Sequence, residues 1–294
     1  MESIITNDIL PKFMCVGTQK AGTTTLHSYL LQHPKICLPS IKETDFFQDD
    51  EKYFQGLDFY KKYYPDCSSN ALYGEVEPEY MYFENVPNRL LKDLGQHLKI
   101  IFILRDPVNR SYSHYMMNRN NGFENEKFDT AIAKEEERIN RDEDSKKKYS
   151  YISRSLYVHQ INRYLSLFKK ENILFLLFED DLVKDPKSTM ERVFSFLDID
   201  SLDITIESVK NKTRPFISKH IGHMVYRDSY AKELFKKILP SSKYREALKN
   251  IFRENSYEKL KSEDRKKLIN NYFYDDICEI ERIINRNLDS WKQE

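Results

Sequence analysis

Lys99-Ile100-Ile101-Phe102-Ile103-Leu104 is an almost unbroken apolar run of β-branched and aromatic residues, stopped abruptly by Arg105-Asp106-Pro107. A strand that is apolar at every position suits a sheet covered on both faces, which is the habit of parallel sheets packed between helices. Lys12-Phe13-Met14-Cys15-Val16, ending at Gly17, and Ile173 to Phe178 read the same way, and Ala71-Leu72-Tyr73-Gly74 is a weaker fourth strand. Helical patterns separate them. Residues 23–32 carry Leu26, Tyr29 and Leu30 at helical spacing, and His33-Pro34 closes that run. Val86 to Leu94 is a helix ended by Gly95, and another opens with Pro107 near its first turn. Leu156, Ile161, Tyr164, Leu165 and Phe168 share one helical face, and Pro186 to Leu197 forms a further helix. The alternation predicts one α/β domain over residues 1–294, with a central, mostly parallel sheet flanked by helices. Its core spans about 12–200; a helical part follows over about 201–294, with a long helix from Ser262 to Asn285. These patterns do not encode the order of the strands in the sheet.

Charge and cysteine content narrow the function. Lys and Arg number 47, balanced by 47 Asp and Glu. This is not the basic excess of a non-specific nucleic-acid binder, so no nucleic-acid partner is expected, while a local basic pocket for a small anion stays open. The four cysteines (Cys15, Cys37, Cys67, Cys278) form no C-x-x-C pair, and the expectation is reduced, mostly buried thiols in a cytoplasmic protein. No apolar run approaches the roughly 18 residues of a transmembrane helix, and no signal peptide is visible at Met1 to Asp8. The charged stretch 124–148 reads as a solvated helix and loop, or as a flap over an acceptor site.

The sharpest local feature is Gly17-Thr18-Gln19-Lys20-Ala21-Gly22-Thr23-Thr24-Thr25, which holds two of the seven glycines. It lies between a buried strand and a helix N-terminus, where the first backbone amides lack helical partners and the helix dipole favours an anion. It reads as a P-loop-like phosphate cradle or as an ordinary strand-to-helix turn with a Thr cap. It departs from G-x-x-x-x-G-K-[ST], because Thr23 follows Gly22 and the lysine sits at Lys20. The strand 99–104 also ends in Arg105, where a Mg²⁺-organising carboxylate is needed for triphosphate chemistry. A cation there suits a second anion without a metal.

Gly17, Lys20, Gly22, Thr23 and Thr24 match G-x-x-K-x-G-T-[ST], and Arg105 to Tyr115 matches R-D-P-x-x-R-x-x-S-x-Y. With both in order, the chain resembles the sulfotransferases that use 3′-phosphoadenosine 5′-phosphosulfate (PAPS), closest to their heparan-sulfate and bacterial branch. Lys42-Glu43-Thr44-Asp45-Phe46-Phe47 resembles that branch's K-E-x-x-F-F segment. Residues 155–198, with Glu179, Leu182 and Asp185-Pro186, resemble its later helix–strand–helix.

The resemblance implies a PAPS-dependent, metal-independent sulfotransferase acting on an acceptor hydroxyl of a carbohydrate or small metabolite, or on an amine. It implies Lys20 as the charge stabiliser at the transferred group. The backbone from Ala21 through Gly22, Thr23 and Thr24 to Thr25 would hold the 5′-phosphate, and Glu43 would be the general base. Arg105 would pair with the 3′-phosphate, and Ser113, about two helical turns on, would hydrogen-bond to it. Arg214, in a loop expected to close over the nucleotide, is a further candidate phosphate contact. Read alone, Glu43 is an exposed carboxylate paired with Lys42. Gly74 to Tyr80 resembles G-E-[KS]-[TS]-P-x-Y with Val76 in place of the Lys or Ser; Glu75 is then an acceptor contact, a partner of Lys20 or a structural residue. His114 neighbours Ser113, and the other histidines read as structural. Two readings compete: a Mg²⁺-dependent P-loop kinase and a non-catalytic nucleotide-binding protein. Oligomeric state is not encoded.

Overall fold

The computed structural model describes residues 9–68, 70–206 and 260–293. They fall into two compact units: one takes in the chain up to Asp106 and from Tyr157 to Lys210, the other Pro107–Leu156 and the chain from Asn211 on. The first unit holds the sheet. Its strands are β1 (Phe13–Gly17), β2 (Ile36–Cys37), β3 (Leu72–Val76), β4 (Lys99–Leu104) and β5 (Ile173–Leu177), in the order β2-β3-β1-β4-β5. All four pairings are parallel. The predicted α/β class holds, and the mostly parallel sheet is wholly parallel within the described residues.

Both faces of the sheet are covered, which is why its central strands lack polar alternation. Phe13, Cys15, Ile101, Ile103 and Leu176 share a core with α1 (Thr23–Leu30) and α10 (Pro186–Phe196) through Leu26, Leu30, Met190 and Phe194. On the other face Phe102 meets Tyr164 of α9 (Tyr157–Leu165) edge-on, and the Tyr164 hydroxyl donates to the carbonyl of Tyr80. Ile100 to Leu104 are fully buried.

Between β2 and β3 the chain makes a long excursion carrying α2 (Asp50–Tyr53) and α3 (Leu57–Lys61). A disulfide joins Cys37 to Cys67 across it, while Cys15 and Cys278 are free. This corrects the expectation of four reduced thiols: irregular sequence spacing carries no pairing information, and the fold alone brings residue 67 back beside β2. β2 itself, two residues long, is too short for any periodicity to announce.

In the second unit α5 (Pro107–Asn120) opens on Pro107 as expected, and Tyr112, Tyr115 and Met116 pack with Ala131 and Tyr151. The stretch 124–148 forms three short helices, Phe128–Ala133, Glu135–Ile139 and Glu143–Tyr149. The expected long C-terminal helix runs without a gap over 262–284: helices Ser262–Leu268 and Tyr274–Ile284 join through a π-helical stretch at Ile269–Phe273. Among the described residues no helix is long and apolar enough to cross a membrane.

Candidate active site

Lys20, Glu43 and Arg105 follow the C-terminal ends of β1, β2 and β4, the edge where parallel α/β sheets bind ligands. At the end of β1 the chain turns through 18–22 into α1. Gly22 caps α1 in the left-handed region, at φ 87°, and no side chain caps the helix end. A Cβ on Gly22 would lie 2.7 Å from the ring of Phe178, so glycine is required there by conformation and by space. Lys20 also adopts a positive φ of 71°. The loop is tied down behind: the Thr18 amide donates to the Ile103 carbonyl at 2.8 Å, and Gln19 Nε2 donates to Glu79 Oε1 at 2.6 Å. Ala21 is fully buried, Thr23 and Thr25 are buried, and Thr24 is exposed.

Arg105 at the tip of β4 reaches this loop. Its Nη1 donates to the Lys20 carbonyl at 2.7 Å, and its guanidinium lies over the Phe178 ring, 4.9 Å from the centroid. The two motifs, 85 residues apart, therefore meet through a direct hydrogen bond. Among the described residues Nε of Arg105 finds no hydrogen-bond partner, and Glu179 Oε1 is 3.7 Å away. Burial raises the Glu179 carboxyl to about 7, against the pull of Arg105. Phe178 thus lies against both Gly22 and Arg105, and Glu179 borders the Arg105 guanidinium. The signal that could have found Phe178 is the pair of constraints on Gly22, invisible without the contact.

The third component is the turn at 42–47. Phe46 and Phe47 are fully buried, and Phe46 stacks on Tyr60 at 4.5 Å while Phe47 meets Tyr80 edge-on at 5.8 Å. These two rings anchor the segment and leave Glu43 outward, its side chain 47% exposed and paired with Lys42. The surface ion pair read from sequence is present. Burial lowers His27 of α1 to about 4, and the next contributions come from Lys42 and Glu43. That places the Lys42–Glu43 pair within electrostatic reach of the helix that springs from the phosphate loop.

Glu75 lies in β3, 1% exposed, and accepts hydrogen bonds from the Thr44 and Tyr60 hydroxyls, each at 2.5 Å. Of its three sequence readings the structural one describes these contacts. Ser113 is buried on α5 of the second unit, and His114 beside it is fully buried. Arg214 lies outside the described residues.

An open helix end, a glycine-bounded loop, Lys20 and a half-satisfied arginine fit a ligand carrying two phosphate groups. A model described as sulfotransferase domain matches residues 10–279. Heparan sulfate glucosamine 3-O-sulfotransferase 5 of Mus musculus is 28% identical over 212 residues, 70% of this chain and 59% of that protein. Bifunctional heparan sulfate N-deacetylase/N-sulfotransferase 4 of Mus musculus is 40% identical over 122 residues, 39% of this chain and 14% of that protein. The chain thus spans about three fifths of the length of the first of these curated relatives and about a seventh of the second. The crystal structure of a sulfotransferase from Alicyclobacillus acidocaldarius aligns with a TM-score of 0.70 and 24% identity, over 97% of this chain and 99% of the other, a likeness of fold. With the family match running through the loop at 17–25, the arginine strand tip and the turn at 42–47, the chain belongs to the sulfotransferase-domain family.

Proposed function

We propose that the protein transfers a sulfuryl group from PAPS to an acceptor hydroxyl of a carbohydrate. The observation that carries this reading is the hydrogen bond from Arg105 to the Lys20 carbonyl, which joins a 3′-phosphate cation to a 5′-phosphate loop. PAPS, when bound, supplies the activated sulfuryl group and leaves as a bisphosphate. The amides of Gly22, Thr23 and Thr24 and the Thr24 hydroxyl hold the 5′-phosphate, while the Ala21 and Thr25 amides, expected from the sequence to join them, donate to the Thr18 and Gly22 carbonyls at 3.1 and 2.9 Å. The Lys20 ammonium offsets negative charge that develops on the leaving oxygen, a role worth a large factor in rate when the cation is already in place. Arg105 offers its guanidinium fork to the 3′-phosphate. Glu43 takes the acceptor's proton, since it is the exposed carboxylate of a turn anchored by buried Thr44, Phe46 and Phe47.

Support for a glycan acceptor comes from the two named relatives, which act on heparan sulfate. One is a 3-O- and the other an N-sulfotransferase, and an amine acceptor is the second reading they favour. The reading needs no metal, and a cytoplasmic location is not part of it.

The decisive experiment is a thermal-shift titration with adenosine 3′,5′-bisphosphate beside ATP with Mg²⁺. Bisphosphate at about 100 times its Kd should add about 2.7 kcal/mol of stability without metal. Arg105→Ala should weaken that binding roughly 10- to 100-fold, the loss of one charged hydrogen-bonding pair. Stabilisation by ATP with Mg²⁺ alone would replace this reading with the kinase one.

A further inference from the structure

The turn that carries Glu43 is bent in a way its sequence does not favour. Glu43 and Asp45, neither of them glycine, both sit in the left-handed region, at φ 67° and 59°. Two such residues flanking one another's neighbour are held only where the surroundings over-determine them, and such outliers gather at functional sites. The surroundings here are unusually complete. Thr44 donates to Glu75 through its hydroxyl at 2.5 Å and also through its backbone amide. The Thr44 carbonyl accepts from Lys52 Nζ at 2.7 Å. The Asp45 amide donates to Glu77 Oε2 at 3.1 Å, the Phe46 amide to Thr44 Oγ1 at 3.2 Å, and the Phe47 amide to the Tyr80 hydroxyl at 3.1 Å.

Glu75 and Glu77 are two residues apart where β3 ends, so both point to the same side of the strand, toward the turn. Both are buried, at 1% and 0% exposure. A buried carboxyl is costly and needs a compensating set of donors. Glu75 has that set in Thr44, Tyr60 and, at 3.4 Å, Tyr80. A core built for stability alone would place an apolar residue at a position enclosed by Phe46, Tyr60, Tyr64 and Tyr80.

We infer that Glu75 is a positioning residue for Glu43: through Thr44 it locks the left-handed turn and so fixes where the Glu43 carboxylate points. The inference rests on the reading of Glu43 as the base. It also explains why the residue inside the turn is a threonine: the hydroxyl donates to Glu75 and accepts from the Phe46 amide, which no apolar side chain does.

The test combines residue-resolved native-state hydrogen exchange with steady-state kinetics on Glu75→Gln, Thr44→Val and Thr44→Ser in the full chain. Kinetics use PAPS with heparan sulfate oligosaccharides as the acceptor probe. Glu75→Gln and Thr44→Val should each speed exchange at the Asp45, Phe46 and Phe47 amides at least tenfold, with Ile101 to Ile103 unchanged. Both should lower kcat at least tenfold at an unchanged KM for PAPS, and Thr44→Ser, which keeps the hydroxyl, should restore both quantities. If Glu75→Gln does not fold, Thr44→Val breaks the same bond from its other end and leaves the buried carboxyl in place. Unchanged exchange at 45–47, faster exchange with undiminished kcat, or an equal rise in KM for PAPS each overturns the inference. A wild-type chain that binds no bisphosphate and transfers no sulfuryl group overturns the functional reading instead, whatever the exchange shows.

Discussion

The loop at 17–25 and the turn at 42–47 both present a charged side chain at the candidate site, and they are built in opposite ways. The loop is made by local backbone: a buried strand, a left-handed Gly22 and an uncapped helix end. The turn is made by distant side chains, with Glu75 and Glu77 about thirty residues on gripping Thr44 and Asp45. It also sits in an excursion closed by the Cys37–Cys67 disulfide, whereas the loop is braced by the sheet itself. A phosphate is large, symmetric and charged, and a row of amides suits it. A proton acceptor must meet one hydrogen at one angle, so its carrier has to be fixed from several sides.

The largest effect expected from this contrast is at Glu43. Glu43→Gln should cut turnover with PAPS and heparan sulfate oligosaccharides by roughly 100- to 10,000-fold, the range for a lost general base. The bisphosphate-induced melting shift should stay at its wild-type size, because the loop at 17–25 does not lean on this side chain. A fall in both quantities would erase the distinction between the two regions.

Next comes the covalent closure. Converting Cys37 and Cys67 to serine together should lower stability by about 2–4 kcal/mol, since the disulfide restrains the unfolded excursion. Calorimetry would show it as a drop of several degrees that reductant reproduces in the wild type and not in the variant. Equal melting of the two proteins under oxidising conditions would mean that the carboxylate and aromatic contacts hold the excursion unaided.

A smaller loss is expected on the loop side. Gly22→Ala keeps every charge but adds a methyl 2.7 Å from the Phe178 ring at φ 87°. The overpacking should cost about 1–3 kcal/mol. It should also weaken the bisphosphate shift, because the same contact sets the gap between the loop and the ring beneath Arg105. A stable variant with full bisphosphate affinity would show that the cradle tolerates more movement than its contacts suggest.

An effect confined to one pH window is expected at Glu179. Burial holds its carboxyl at about 7 instead of 4.5, so the fold prefers the neutral form. That contribution is fully present below pH 4.5 and is lost as pH rises to about 7. The melting temperature of Glu179→Gln should therefore gain on the wild type between pH 5 and 7.5 in the ligand-free protein. A variant that instead falls behind over that interval would make the attraction between Glu179 and Arg105 the dominant interaction.

Legibility in the sequence followed the range of the forces involved. β4, the helix Val86–Leu94 and the Pro107 helix start were readable because apolar runs, Gly95 and Pro107 act within a few residues. The Ser262–Asn285 helix is legible in outline, but periodicity does not register the π-helical stretch in its middle. At the site, Lys20, Gly22 and Arg105 could be picked out by type and spacing. Glu43 could be singled out only through the resemblance of its segment to K-E-x-x-F-F. Arg214 was also singled out, and it lies outside the described residues.

By itself, then, the sequence determined the α/β class, the glycine-bounded loop at a helix start and the arginine at a strand tip, because each depends on backbone geometry set by neighbouring residues. The tertiary structure alone decided the strand order, the Cys37–Cys67 pairing, the bond between Arg105 and the Lys20 carbonyl and the grip of Glu75 on Thr44. Those contacts join residues 30 to 85 positions apart. Their formation depends on which strands lie side by side, and a carboxylate at position 75 has the same local chemistry whether it faces water or a threonine.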